Sequence, residues 1–410
     1  MRSASFRLSA ILAVALVLGT AAGPLAHAAA YDQPDPPAVD ARAVVVLDYA
    51  QGDVLYERNA DLYIPPASLT KLMTMHVALK AVELGTIGLS DIITILPEET
   101  SPILPYGSSL MYLEPGMRVT FDDLLRGMAV VSGNDAAFAV ARVLAGSSEE
   151  FARMMNDEAR ALGLSHTRFV EPSGLSEQNI TTARDMAEFA RLYLNLHPDA
   201  LDSYHGRPSM EFPRPEVMPV GVPPPDQRIV LRNRNELVRR YEGCDGLKTG
   251  FIDESGYNLI ATAERDGTRV IVVTLGGFGG KETRARDGAA ILDWAFATWT
   301  TVRPQAPELP SLRVWGGASS HVDLELAVVP AFTVPADLAA GIDSRVDLEP
   351  DADAPVSRGD KLGTLTFTRG DQVIRRVDIV AARDVPKGNV LQRLKDAILK
   401  FFSRLFTPKN

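Results

Sequence analysis

The chain has 410 residues, 46% of them hydrophobic and 23% charged, with a formal net charge of −10. That is the composition of globular domains, and it excludes disordered, collagen-like and multi-span membrane classes. The length allows two or three domains, each large enough to bury a core. A single cysteine, Cys244, excludes an intrachain disulfide framework and a thiolate metal cluster. The six histidines form no His-Glu-x-x-His or His-x-His spacing, so no metal hydrolase and no cofactor is indicated. The negative balance argues against a nucleic-acid partner.

In chain order, residues 1–28 read as a secretory signal: Arg2 and Arg7, an apolar run from Leu8 to Gly19, then Ala26-His27-Ala28 as a small-x-small cleavage site. The other reading, an uncleaved anchor, fits less well because the run is short for a span. Residues 31–41 are a Pro- and Asp-rich leader. Val44 to Asp48 and Val54 to Glu57 flank a Gln-Gly-Asp turn and predict a hairpin. After Pro65-Pro66, Ser68 to Val82 predicts a mostly apolar helix, and helices are expected at 121–131, 135–145, 149–162 and 182–196. Pro-rich 213–225 is a surface loop. Leu247 to Ile252, Tyr257 to Glu264 and Thr268 to Leu275 predict strands, and a long helix at about 282–300 closes a first body spanning 31–303.

Pro304, Pro307 and Pro310 mark a linker. Residues 304–386 then alternate as short strands (Val322 to Val328, Leu362 to Thr368, Val373 to Val380) and predict a small all-β domain without a chemical constellation. Its readings are a spacer or a ligand-binding module. In 387–410, Leu391, Leu394, Ile398, Phe401, Phe402, Leu405 and Phe406 recur at helical spacing with Arg393, Lys395, Lys400 and Arg404 between them. Six basic residues and one acidic give this tail +5 and leave −15 on the rest. A basic amphipathic helix, too short and charged to span a bilayer, suits an anionic membrane surface through residues 388–406. The alternative is a helix docked on its own domain.

Three short motifs carry the chemistry. In Ser68-Leu69-Thr70-Lys71, serine and lysine at three-residue spacing share a helix face. A serine hydroxyl needs a base to attack a carbonyl. Lysine serves once burial draws its pKa, about 10.4 when unperturbed, toward neutrality. Ala67, Ser68, Thr74 and Met75 put no carboxylate one turn away, and the helix N-terminus favours a developing oxyanion. About one Ser-x-x-Lys arises by chance in such a chain, and a solvated lysine is its ordinary reading. Ser132-Gly133-Asn134 lies between two predicted helices: Ser132 could relay a proton and Asn134 bond a substrate amide, or either could cap a helix. Lys248-Thr249-Gly250 lies on a predicted strand. There Lys248 could meet a carboxylate or guard an edge, and Gly250 could let a substrate backbone lie alongside.

In this order the motifs resemble those of the serine penicillin-recognising enzymes, and among them the low-molecular-mass penicillin-binding proteins that are D-alanyl-D-alanine carboxypeptidases. The resemblance runs through 66–71, 107–113, 125–136, 182–187, Asn233-Arg234-Asn235 and 246–251, and extends to the β domain and C-terminal helix. It implies an α+β catalytic domain with an antiparallel sheet flanked by helices. It also implies an exported enzyme, peripheral on the periplasmic face of the inner membrane, that trims the terminal D-alanine from peptidoglycan stem pentapeptides and is acylated by β-lactams. Catalytic roles fall to Ser68 (nucleophile), Lys71 (base) and Ser132 (proton relay). Substrate binding falls to Asn134, Lys248, Thr249, Gly250 and Phe251, with the Ser68 and Phe251 N–H groups as oxyanion hole.

Two positions depart from the family's pattern: Phe251 stands where some relatives carry histidine, and Phe278 follows Gly276-Gly277 where some carry a basic residue. Lys281, Arg284 and Arg286 are candidates to replace the latter. Ser173 stands where relatives often have histidine and receives no role, and Cys244 is expected to be buried and structural. The alternatives are a D,D-endopeptidase, a β-lactamase and a non-enzymatic wall-binding protein. No Glu-x-x-Leu-Asn segment of the class A β-lactamase kind lies between the second and third motifs.

Overall fold

The computed structural model describes residues 33–100, 104–224 and 226–406; the signal expected over 1–28 lies outside them. An antiparallel five-stranded sheet forms the frame, in the order Val54–Arg58, Ala43–Asp48, Thr268–Gly277, Gly256–Arg265, Cys244–Ile252. The predicted hairpin is therefore β1 (Ala43–Asp48) and β2 (Val54–Arg58).

Side-chain alternation explains why these strands read as almost continuously apolar: both faces are covered. Val45 and Leu47 of β1, with Ile271 and Val273, face one core, while Val44 and Val46, with Val270 and Val272, face the other. The larger core is closed by α1 (Lys71–Glu83), α2 (Phe121–Val130), α3 (Asn134–Ala145), α4 (Ser148–Ala161) and α5 (Ala183–Leu196). The smaller is closed by the helix Lys281–Thr298 through Ile291, Leu292 and Ala295. Each fully buried Val, Leu or Ile is worth about 1.5–3 kcal/mol, so burial on both faces stabilises this frame.

Helix starts follow local chemistry. Thr120 and Asp123 cap α2 reciprocally, Ser147 accepts the Glu150 N–H at α4, and Thr182 that of Asp185 at α5. Two expected helix ends need correction. The helix expected from Ser68 begins as a tighter 3-10 turn, Ala67–Thr70, with Ala67 at φ +50, and becomes α-helical only at Lys71. The helix expected to about 300 ends at Thr298. Trp299–Val302 (Trp-Thr-Thr-Val, β-branched after the aromatic) instead pairs antiparallel with Phe332–Pro335.

That pairing ties the frame to the C-terminal β domain, a three-stranded and a four-stranded sheet with two small cores. The stretch Val322 to Val328 is broken into His321–Val322 and Leu324–Leu326, which join different sheets. Arg375 of this domain reaches Gln51 and Asp53 in the β1–β2 turn, and Thr333 donates to the buried Asp48 carboxylate. The C-terminal helix is present over Val390–Phe406. Its Asp396 carboxylate accepts from Arg313 Nη2 at 2.9 Å and Gly316 N at 2.8 Å, and Lys400 pairs with Asp353. Its Leu391, Leu394, Ile398, Phe401 and Phe402 are exposed. No helix among the described residues is long and apolar enough to cross a membrane.

Candidate active site

The three motifs converge on one cleft of about 920 Å³ between the sheet edge and the helical layer. The 3-10 turn Ala67–Thr70 presents Ser68, half-exposed, at the cleft floor, while Lys71 one turn on is fully buried. Lys71 Nζ lies 3.1 Å from Ser68 Oγ, 2.5 Å from Asn134 Oδ1 and 2.6 Å from the Ser173 carbonyl. A neutral amine has two N–H bonds and one lone pair. The amide and peptide oxygens can only accept, so they take the two N–H bonds and leave the lone pair for the Ser68 hydroxyl. Burial draws the Lys71 pKa down to about 7, opposed by the Glu171 and Asp135 carboxylates.

The second motif sits in a strained bend. Ser132 has φ +62, a region costing a non-glycine residue about 1–2 kcal/mol, which directs its Oγ into the cleft. Asp135 accepts from the Met111 and Leu113 N–H groups, and Asn134 N donates to Ser109 O, so the 107–113 segment is fastened to the start of α3 as a cleft wall. Lys248 is buried and its Nζ donates to Ser132 Oγ at 2.9 Å. Burial, then the charges of Lys71, Arg284 and Arg234, hold its pKa well below the usual lysine value.

Thr249, Gly250 and Phe251 line the cleft on the strand Cys244–Ile252. Gly250 allows a close approach, but to the turn that bears Ser68: a Cβ there would lie 2.8 Å from Pro66 O and 3.1 Å from Ser68 N. Phe251 is half-exposed against Tyr257, with ring centroids 4.4 Å apart. Of the basic candidates, Lys281 and Arg284 line the cleft, whereas Arg286 pairs with Asp287. Arg284 lies over the Tyr257 ring, while Phe278 is exposed beside Arg42.

All eight sequence-predicted residues thus gather at one place. Sequence reasoning missed the main-chain acceptor, Ser173 O, and the carboxylate behind it, Glu171; a peptide carbonyl has no residue signature. Asn134, expected to contact substrate, also holds Lys71 through its Oδ1. Cys244 is buried, donates to Gly246 O and has its thiol pushed up to about 12, an inert structural residue as expected.

The comparisons extend the likeness over both domains. A family model described as D-alanyl-D-alanine carboxypeptidase matches residues 30–279, and one described as penicillin-binding protein 5, C-terminal domain, matches 304–387. The D-alanyl-D-alanine carboxypeptidase DacC of Escherichia coli K12 is 34% identical over 379 residues, 90% of each chain. Penicillin-binding protein 5 of Haemophilus influenzae superposes with a TM-score of 0.75 at 29% identity, covering 86% of this chain and 100% of that one. Penicillin-binding protein D2 of Listeria monocytogenes, solved in a cefotaxime-bound form, gives 0.54 at 31% identity, covering 64% and 100%. On likeness of this extent, the chain belongs to the D-alanyl-D-alanine carboxypeptidase family, serine peptidases that bind penicillin.

Proposed function

We propose that Ser68 is the acylated nucleophile of this carboxypeptidase and Lys71 its general base. The Ser68 Oγ–H proton passes to the Lys71 lone pair as Oγ attacks the penultimate carbonyl of a stem peptide ending in D-Ala-D-Ala. The oxyanion is held by the Ser68 and Phe251 N–H groups. The C–N bond breaks, and the departing D-alanine amine takes a proton relayed through Ser132. Lys248 and Thr249, with Arg284 in the cleft wall, hold the terminal carboxylate, whose charge compensates the crowded cations. Gly250 keeps the strand against the nucleophile, and Asn134 holds Lys71 as well as the acyl part. Water, activated again by Lys71, hydrolyses the ester; a β-lactam forms the same ester and lingers.

The observation that carries this reading is the Lys71 amine, buried, near neutral pKa and with its two N–H bonds accepted elsewhere, 3.1 Å from Ser68 Oγ. Incubation with a pentapeptide ending in D-Ala-D-Ala should release D-alanine, read by mass, and labelled penicillin should form a long-lived adduct on Ser68. Ser68→Ala should abolish both; retained labelling would overturn the assignment. The same reading takes 1–28 as a signal, 31–303 as the catalytic domain, 304–386 as a spacer and 387–410 as a peripheral anchor at the periplasmic face of the inner membrane. The outward apolar face of the C-terminal helix supports it.

A further inference from the structure

One half-buried carboxylate near the cleft, Glu171, is used by none of these steps. Glu171 lies in the 170–179 loop, and its two oxygens form that loop's centre. Oε2 accepts from Ser173 N at 2.7 Å and Ser173 Oγ at 2.6 Å, and Oε1 from Gly174 N at 2.6 Å and Asn179 Nδ2 at 2.9 Å. Fully buried Asn179 carries the connection outward, its Nδ2 also reaching Thr70 Oγ1 at 3.1 Å. Thr74 Oγ1 donates to Pro172 O at 2.6 Å. The loop is thus pinned to the turn and helix that bear Ser68 and Lys71, and the group it delivers there is the Ser173 carbonyl, 2.6 Å from Lys71 Nζ.

We propose that Glu171 is the positioning residue for the catalytic amine: its carboxylate folds the loop so that the Ser173 carbonyl seats one N–H of Lys71 and turns the lone pair toward Ser68. The inference rests on the reading of Lys71 as base. An amide cannot replace the carboxylate, because its NH2 would meet the Ser173 or Gly174 N–H groups donor to donor. A base misplaced by about 1 Å costs up to a hundredfold in rate. The charge acts as well. Among the described residues, Glu171 from the loop and Asp135 from α3 favour protonation of the Lys71 amine, and Lys248 from the strand opposes it. Removing the Glu171 charge therefore eases deprotonation, whereas a loop that merely loosened would admit water and restore the ammonium.

The test is the pH profile of acylation by a fluorescent penicillin, followed to its plateau. Glu171→Gln should lower the plateau about ten- to a hundredfold while its acid limb moves to lower pH. Glu171→Asp, one methylene short but still charged, should lower the plateau several-fold with the limb in place, and decides alone should the glutamine variant not fold. A wild-type plateau in either variant overturns the proposal, including the case where only breakdown of the acyl-enzyme slows, which would make Glu171 a deacylation base. A Glu171→Gln limb that stays put or moves upward also overturns it. Ser68→Ala runs in parallel: labelling that survives there sinks the parent reading, whereas a silent Ser68→Ala beside unaffected Glu171 variants sinks only this one.

Discussion

If Lys71 is the general base proposed above, its environment sets a pH dependence that can be read directly. Its folded pKa, drawn down to about 7 by burial, lies below the ordinary lysine value, and on that proposal the working form is the neutral amine. Acylation by penicillin should therefore climb as pH rises through about 7 and flatten above it. Lys71→Arg, fixed as a cation, should lose about a thousandfold or more at every pH, within the range general-base catalysis supplies. A profile flat from pH 5 to 9 would remove Lys71 from the role. Motif residues such as Ser68, Lys71 and Lys248 were legible because side-chain type and spacing survive in one dimension. Ser173 was not, because it acts through a peptide oxygen that any residue supplies. Glu171 reads in isolation as one more loop acid; only folding brings its carboxylate under Ser173 and Gly174. The histidines were legible only as an absence of metal spacing. His205 shows their actual use: its ring accepts the Tyr193 hydroxyl and donates to Leu247 O, with burial holding its pKa down to about 3.

At the scale of elements, the site depends on backbones brought closer than side chains permit. Gly174 stands at φ +83, and a Cβ there would lie 1.8 Å from Ala67 O, inside the turn that carries Ser68. Gly174→Ala should destabilise the fold by more than the ~1–2 kcal/mol of left-handed strain alone, and should slow acylation by displacing the nucleophile. Gly85→Ala is the control, at φ +69 with nothing within 4 Å of the added carbon, and should cost the strain and leave acylation unchanged. Thermal melts and acylation rates of the two separate contact from conformation, and equal effects in both would show that the loop yields. The elements themselves were largely written in the apolar periodicity. Strands of the central sheet read as unbroken apolar runs because both faces are buried, and the helices carry clear caps. Errors fell at ends, where tertiary contacts decide. Ala67–Thr70 winds as 3-10 beneath the Gly250 strand, and Trp299–Val302 leaves the helix for a partner strand more than 30 residues onward that no local pattern announces.

The whole molecule sets an enzymatic cleft at one place and an apolar helix face at another, and the helix is docked in a way that preserves that face. Asp396 and Lys400 hold it to the β domain through Arg313, Gly316 and Asp353, so the contacts to the domain are polar. Leu391, Leu394, Ile398, Phe401 and Phe402 then lie outward, each at least half exposed. A helix docked merely to finish its own domain would bury those residues, which here stay outward while Asp396 and Lys400 face the domain. Inserting five such side chains into an interface is worth about 1.5–3 kcal/mol each if fully buried, an upper bound, and the tail's +5 adds attraction to anionic lipid. On the membrane reading, the protein should co-sediment with vesicles containing anionic lipid, more weakly at high salt. A chain lacking 388–410, or one carrying Leu394→Asp with Phe401→Asp, should remain in the supernatant. Release of D-alanine from a soluble pentapeptide should be unchanged in both, because Ser68 and its partners lie in the other domain. Co-sedimentation that survives the truncation would sink the anchoring role while leaving the chemistry at Ser68 untouched.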